Sequence, residues 1–298
     1  MFVQSVVRAR SEVEAAWLMF EGKPGTRLIA GGTDLMLQMQ RGKLQASSLV
    51  DLRRSGMDML RESDESIDIG ATATIASIAR HDGVRRLFPD LHRAAATLAS
   101  QQIRNMGTLG GNIGNASPAA DLVPSLLVHE ALVRVRCGDA LREVPARAFF
   151  TGPGETVLTA QELITEVRLP VPRAADGEVH SVFHKLGFRG AQIIAVVNLA
   201  ARVGLRGDVV EQARLALGSV APTAVRASHV EQLLIGQRLT RELVEAAAEA
   251  VQQDISPIDD LRAPAAYRRR VARNYVRLAL SQVVMAHSDA RTRRRSRT

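Results

Sequence analysis

Residues Asn105 to Asn115 read Asn105-Met106-Gly107-Thr108-Leu109-Gly110-Gly111-Asn112-Ile113-Gly114-Asn115, and seven of these eleven positions are glycine or asparagine. Those two residue types adopt positive φ most readily. A segment so poor in side-chain bulk packs badly, yet it lets a backbone come close to a ligand and point N–H groups at it, as phosphate-binding loops do. Thr108 and Asn112 add side-chain donors. A second small-residue turn, Ala30-Gly31-Gly32-Thr33-Asp34, follows the apolar run Leu28-Ile29-Ala30. Two such loops point to a ligand with two phosphates, hence a dinucleotide. Asp34 would repel a phosphate aimed at it, so its role is either to cap local N–H groups or to accept from a ligand hydroxyl. Asp121, after Ser117-Pro118, is read either as an acceptor for ribose or amide N–H groups or as a helix N-cap.

The motifs that are missing narrow the chemistry further. There is no Gly-x-Gly-x-x-Gly dinucleotide turn, no Walker lysine motif and no Gly-x-Ser-x-Gly elbow. No paired carboxylates or Cys/His couple mark a general acid–base or nucleophilic site, so a bound cofactor is expected to supply the chemistry. The single cysteine, Cys137, excludes an internal disulfide and an iron–sulfur cluster held by this chain alone. It ends the alternating run Val133 to Cys137 and is expected to be a buried strand residue. The seven histidines are scattered, and only His180 and His184 stand four apart, in strand-like surroundings, so no metal site is expected.

These residues need elements to hold them. Ser11 and Glu14 have capping-box spacing ahead of a helix to Glu21, with Val13, Ala16, Trp17 and Phe20 as its apolar face. Arg27–Ala30 reads as a strand, Leu35–Gln40 as a helix and Leu49–Leu52 as the next strand, which puts the glycines where strand becomes helix. Strands are expected at Ile67–Gly70, Leu132–Cys137, Leu141–Val144 and Leu163–Leu169, and helices at Ile75–His81, Leu91–Ser100 and Asp121–Glu130. Pro170-Val171-Pro172 and the polar linker Arg173–Glu178 mark a boundary. Beyond it, Ile193–Val203 and Val209–Gly218 form an antiparallel pair turning at Gly207-Asp208. Helices follow at Ser228–Leu234, Thr240–Asp254 and Ala265–Ala286, the last with Val271, Tyr275, Leu278 and Val283 on its apolar face. The division is 1–57, 58–175, 178–287 and a basic tail, 288–298.

Length and composition set the outer bounds. The 298 residues suffice for two or three units with real cores. No run approaches the roughly eighteen apolar residues of a membrane span, and the early arginine argues against a secretory signal, so the protein is expected in the cytoplasm, off the membrane. The formal charge is +8, part of it from five arginines in the last eight residues, read as a solvated tail. Aromatic residues are only 3%, too few for the stacking platforms of single-strand binders, so nucleic acid is not an expected partner.

Taken together, Leu28 to Leu35, Gln102 to Ile113 and Ala116 to Asp121 closely resemble the FAD-binding medium subunit of the molybdenum hydroxylase family, the family of xanthine dehydrogenase and carbon monoxide dehydrogenase. The likeness continues through Phe150-Thr151-Gly152-Pro153-Gly154, Glu162-Leu163-Ile164, Phe183 to Arg189, Asp260-Leu261-Arg262 and Tyr267-Arg268, in order along nearly the whole chain. It implies an α+β protein: a two-subdomain FAD-binding fold of the PCMH type, then a smaller α+β domain with an antiparallel sheet and helices. It implies that Ile29, Ala30, Gly31, Gly32, Thr33, Asp34 and Leu35, with Thr108, Gly110, Gly111 and Asn112, wrap the FAD pyrophosphate through backbone N–H groups. Asp121 falls at a cofactor-contacting position, Ile164 where an apolar residue meets the flavin, and Lys185 where a lysine lies beside the isoalloxazine. Leu98 matches a position that is aromatic in some relatives, and Gly114 one that is a bulky aliphatic in others.

The same resemblance implies an electron relay. A large subunit with the molybdenum–pterin cofactor oxidises the substrate, a small subunit passes electrons through [2Fe–2S] clusters, and FAD on this chain hands them to NAD⁺ or another acceptor. A stand-alone FAD oxidoreductase of related fold, or a scaffold relative that has lost FAD, are the alternatives. The first would need a substrate acid and base of its own; the second would have no use for intact glycine loops.

Overall fold

Strands Ser5–Arg8, Ser48–Asp51 and Thr26–Ile29 lie side by side in that order, all parallel, with the chain crossing over through helices Glu12–Phe20 and Leu35–Gln40. The computed structural model describes residues 3–172, 177–187 and 194–295, with side chains to residue 288. It divides into two units, Met1–Arg85 with Ala95–Ser117 and Glu130–Val171, and Arg86–Ala94 with Pro118–His129 and Pro172–Thr298. Arg173, Phe188, Arg189 and Ile193, which figure in the sequence expectations, lie outside the described residues, as does the very end of the basic tail. Among the described residues no helix is long and apolar enough to cross a membrane.

The first helix starts as its sequence predicts. Ser11 Oγ accepts from the Glu14 N–H at 3.1 Å, and the Glu14 carboxylate accepts from the Arg10 N–H at 2.7 Å. Its buried face is different from the expected one. Ala15, Ala16 and Met19 are buried, whereas Val13, Trp17 and Phe20 are 45%, 37% and 42% exposed. Small residues let the helix sit close to the strands, which pushes the large side chains to the rim, where Trp17 and Phe20 meet edge to face. Strand Ser5–Arg8 escapes the sequence reading because all four residues are exposed and none alternates.

Asp51 closes the C-terminal end of this sheet. The register sets it opposite both Arg8 and Ile29. Its side chain is 1% exposed and accepts from Arg53 Nε at 2.9 Å, Arg53 Nη2 at 2.8 Å, the Arg53 N–H at 3.0 Å and Arg8 Nε at 3.1 Å. The Arg53 guanidinium, above all, holds the carboxyl well below the usual carboxylate range.

A second, antiparallel sheet has the order Leu60–Glu62, Ser66–Gly70, Leu163–Pro170, Leu132–Cys137 and Ala140–Pro145. Its central strand carries a bulge: Ile164 pairs with Val135 and Glu166 with Arg134, leaving Thr165 as the extra residue. Cys137, expected to be buried, is only partly so, because it is the last residue of its strand.

In the other unit, Glu178–Leu186, Val197–Arg206, Val209–Gly218 and Val225–Arg226 form an antiparallel sheet. The expected hairpin at Gly207-Asp208 is present, with Gly207 at φ 59°. Val197–Leu205 is buried at every position, the mark of a strand covered on both faces. Leu199, Ala201, Val203 and Leu205 meet Val230, Val244, Val276 and Leu280 from the helices Ser228–Leu234, Arg241–Ala250 and Ala265–Arg295. The last helix runs past the expected end at Ala286, and Leu278, assigned to its apolar face, is 43% exposed. Arg268, 1% exposed, donates to the carbonyls of Val196 (2.9 Å) and Ser219 (2.8 Å) and to Asp260 (2.6 Å), so the start of this helix is tied to the sheet by charge-assisted bonds.

Replacing Asp51 with Asn should lower stability by about 2 kcal/mol at pH 7, the scale for hydrogen bonds to a charged group. Because folding depresses the Asp51 pKa, its contribution is present above the unfolded value near 4 and is lost as pH falls through the folded one. Denaturant unfolding of both proteins from pH 7 downward checks this: the gap between them should narrow in acid, and a constant gap would remove the ionised Asp51 as its source.

Candidate functional site

The glycine-rich stretch is not an irregular loop. Gln101–Met106 and Leu109–Gly114 are two short helices separated by Gly107 and Thr108. Thr108 caps the second, its Oγ1 accepting from the Gly111 N–H at 3.1 Å. None of Gly107, Gly110, Gly111 and Gly114 has positive φ, so conformational freedom does not explain them. Close approach does. A Cβ on Gly110 would stand 2.8 Å from the Ala71 carbonyl oxygen and Cβ, and one on Gly31 would stand 1.9 Å from the Met106 carbonyl oxygen. In the first loop only Gly32, at φ +70°, needs a left-handed backbone.

Main-chain bonds stitch the second stretch to residues 71–75. The Gly110 N–H donates to the Ala71 carbonyl (2.8 Å), Leu109 to Ala73 (3.0 Å), and Ile75 to Gly107 (2.9 Å). Ala71 in turn donates to the carbonyl of the bulged Thr165 at 2.8 Å. Gln38 Nε2 donates to Asn115 Oδ1 at 3.0 Å, joining the helix after the first loop to the end of the second. Arg104 Nη1 reaches the carbonyls of Leu98 and Ala99, both at 2.9 Å, and Ala99 is held at φ 41°.

These contacts enclose a cavity of about 470 Å³ in the first unit, within the usual range for a small-molecule site. Of the expected residues, Ala30, Gly31, Gly32, Thr33, Asp34, Leu35, Leu98, Thr108, Gly110, Gly111, Asn112, Gly114 and Ile164 line it. Ile29 does not; it packs instead against the small core of Met39, Ala46 and Leu49. Gln38, Leu52, Ala71, Ile75, Leu158 and Glu162 also line the cavity, none of them expected there from the sequence. Gln38 was findable, since it lies one turn along the helix from Asp34. Ala71 and Leu158 carry no local signal.

The wall has a distinct chemistry. Leu109 and Ile113 are buried on one side of the short helix, while Gly111 and Gly114 leave its other side bare; a Cβ on Gly114 would meet only Ile164 Cδ1, at 3.5 Å. The N–H groups of Leu109, Gly110, Gly111 and Asn112 are already given to acceptors within the chain. Among the described residues those of Gly31, Gly32, Thr33 and Asp34 are not. The donors open to an anion therefore belong to the first loop. Asp34 stands at the N-cap position but makes no side-chain cap bond, so its carboxylate is left for a ligand hydroxyl or water. Asn112 Oδ1 is buried without a hydrogen-bond partner, a costly arrangement for a folded chain by itself and an ordinary one for a group awaiting a ligand. A dinucleotide with a flat ring system fits this set: free N–H donors for phosphate, an orphaned acceptor, and an apolar strip from Leu98 to Ile164.

Asp121 and Lys185 lie in the second unit. Asp121 precedes helix Val123–Val128, whose N-cap is Leu122, so it is not the cap. Its carboxylate accepts from Lys185 Nζ and, at 3.0 Å, from Asn198 Nδ2. Burial pushes the Asp121 carboxyl above its ordinary value, with the Lys185 ammonium and the Asn198 amide pulling the other way.

The profile described as "FAD binding domain in molybdopterin dehydrogenase" matches residues 3–172, and that of the "CO dehydrogenase flavoprotein C-terminal domain" matches residues 182–283. The glyceraldehyde dehydrogenase medium chain of Sulfolobus acidocaldarius is 33% identical over 280 residues, 94% of this chain and 98% of that one. The xanthine dehydrogenase FAD-binding subunit of Escherichia coli is 30% identical over 94% of this chain and 95% of its own length. Among solved structures, the carbon monoxide dehydrogenase of Hydrogenophaga pseudoflava that lacks the Mo-pyranopterin moiety aligns with a TM-score of 0.88 at 31% identity, covering 93% of this chain and 96% of that one.

Two variants separate ligand contact from packing. Gly111→Val should abolish retention of the dinucleotide in a chain still folded by circular dichroism, with a small loss of stability because its Cβ would stand 3.1 Å from the capping Thr108 Oγ1. Gly110→Ala should instead lower stability by about 1–3 kcal/mol, since its Cβ meets the Ala71 backbone. Full ligand occupancy in folded Gly111→Val would sink the assignment of this wall. Lys185→Met should cost about 3–5 kcal/mol by leaving the Asp121 carboxylate buried and unpaired, and Asp121→Asn added to it should recover much of the loss. Additive losses in that cycle would show the pair to be uncoupled.

Proposed function

Because the chain belongs to the family of FAD-binding subunits of molybdopterin-dependent dehydrogenases, we propose that it is the electron-exit subunit of a heterotrimer, taking electrons from [2Fe–2S] clusters and passing them to NAD⁺ or another acceptor. The chain is an oxidoreductase subunit with an α+β fold and an FAD-binding domain. The observation that supports an FAD site in this reading is the cavity wall: open N–H donors at Gly31 to Asp34, the unpartnered Asn112 Oδ1, and the glycine-lined face of Leu109–Gly114, all within the FAD-matched span. With one partly buried cysteine, the chain has no ligand set for a [2Fe–2S] cluster, which takes four. In this reading the clusters and the molybdenum cofactor sit on the small and large partner subunits.

Bound FAD supplies the redox chemistry, since it exchanges electrons singly or in pairs and no side chain here does so. The residues of this chain hold and tune it. The first loop takes the pyrophosphate on the open N–H groups of Gly31 to Asp34, while Thr108, Gly110, Gly111 and Asn112 shape the opposite wall. Leu98, Gly114 and Ile164 leave an apolar seat for the ring, aliphatic at the position where some relatives stack an aromatic. Lys185 and Asp121 enter this reading as cofactor-facing residues, and their ion pair makes them a nearly neutral couple rather than a lone cation. The division at residues 57, 175 and 287 belongs to the same proposal.

The purified chain, incubated with excess FAD and desalted, should keep flavin absorption bands and release FAD on heating. Co-expressed with its partners it should travel with iron–sulfur and molybdenum, and the complex should reduce NAD⁺ on turnover. A folded chain and a complex that are both flavin-free would refute the reading. Reduction of dyes but not NAD⁺ would leave FAD in place and exclude the nicotinamide acceptor. Lys185→Met should shift the flavin potential more than FAD occupancy; an unchanged potential would remove Lys185 from the site.

A further inference from the structure

Away from the cavity, Glu178, His180 and His287 come together in the second unit. Glu178 and His180 are two apart on one strand, so they project from the same face. His287 comes from the long final helix. Glu178 Oε1 is 3.5 Å from His180 Nε2, Glu178 Oε2 is 3.8 Å from His287 Nδ1, and one ligand atom from each residue falls within 4.8 Å of the others. The two imidazole rings stand perpendicular, at 88°, with centroids 5.9 Å apart.

The nitrogens face one another without bonding. His180 Nε2 and both ring nitrogens of His287 are buried and have no hydrogen-bond partner. The side chains are 14% and 10% exposed, so water does not readily satisfy them. Gathering three such nitrogens in one place is costly for a folded chain unless something binds there.

We propose that Glu178, His180 and His287 bind a divalent transition-metal cation of the Zn²⁺ class. Tetrahedral ligands about 2.1 Å from zinc lie roughly 3.4 Å apart, so the observed spacing needs only modest side-chain closure. His287 ligates through Nδ1, which faces Glu178. Its Nε2 lies 3.8 Å from Asp208 Oδ1, and Asp208 Oδ2 is fixed by Arg238 Nη2 at 3.0 Å. Asp208 is thereby placed to receive the Nε2–H and orient the ring, the outer-shell carboxylate of many histidine metal sites. Three protein ligands leave the fourth position to water on the side of the more exposed Glu178. Bound metal would clamp the first strand of the sheet, the Gly207-Asp208 turn and the end of the final helix.

The test uses the untagged full-length chain, stripped with EDTA and titrated with ZnCl₂ by calorimetry, with MgCl₂ as the control. One saturable Zn²⁺ site per chain is expected, with no response to Mg²⁺, and a rise in melting temperature on loading. His180→Ala and His287→Ala should each abolish binding, and Asp208→Asn should weaken it about 10- to 100-fold. No saturable site, or equal affinity in the His180→Ala/His287→Ala double variant, would overturn the proposal. Should the variants fail to fold, the X-ray absorption spectrum of the zinc-loaded wild type decides: two imidazoles with oxygen ligands support the site, and a shell without imidazole refutes it.

Discussion

Two backbones touch, and the cavity follows from that contact. The α-carbon of Gly31 lies so near the Met106 carbonyl that no side chain of any size fits between them. Gly110 makes a second such approach, to Ala71. Each brings one glycine segment against a neighbouring main chain, and the bonds from 107–110 to 71–75 hold the approach in place. The contact thus orients the short helix Leu109–Gly114, whose remaining glycines form a smooth wall. A bulge at Thr165 sets Ile164 beside Gly114 across the same space.

That geometry divides the labour between the glycine segments. The second segment uses its own N–H groups to stay folded, and offers a ligand surface, an Asn112 oxygen and little else. The first segment keeps the N–H groups of Gly31 to Asp34 open among the described residues. Free donors near a parallel sheet's carboxyl end attract phosphate, and Asp51 at that end is neutralised by Arg8 and Arg53, so it does not work against an anion.

In the second unit, buried polar groups determine how the pieces lock. Arg268 spans two strand-end carbonyls and Asp260; Asp121 is held by Lys185 and Asn198. Such pairs specify one arrangement because any other leaves a charge without a partner in a dry interior. The Glu178, His180 and His287 group breaks this pattern, for its nitrogens are gathered and left unbonded.

Local signals carried much of this into the sequence. The cap at Ser11, the helix Leu35–Gln40, the strand Leu132–Cys137 and the hairpin at Gly207-Asp208 are all written in residue types and short spacings, because caps, turns and alternation act over a few residues. The glycine segments likewise announced a close backbone approach. What the approach was to could not be read there. Four glycines without positive φ look the same in sequence as four that need it, and only the fold shows that Gly31 and Gly110 serve packing while Gly111 and Gly114 face the cavity. The buried side of the first helix was misjudged for a related reason: hydrophobicity ranks Trp17 above Ala15, but the space beside the strands admits only the smaller one. Strand Ser5–Arg8, the lining residues Ala71 and Leu158, and the meeting of His180 with His287 depend on segments far apart in the chain. Sequence alone determined the local elements and the chemical character of the loops; tertiary structure decided which groups meet, because contact across long separations is set by the packing of whole elements and not by any residue's neighbours.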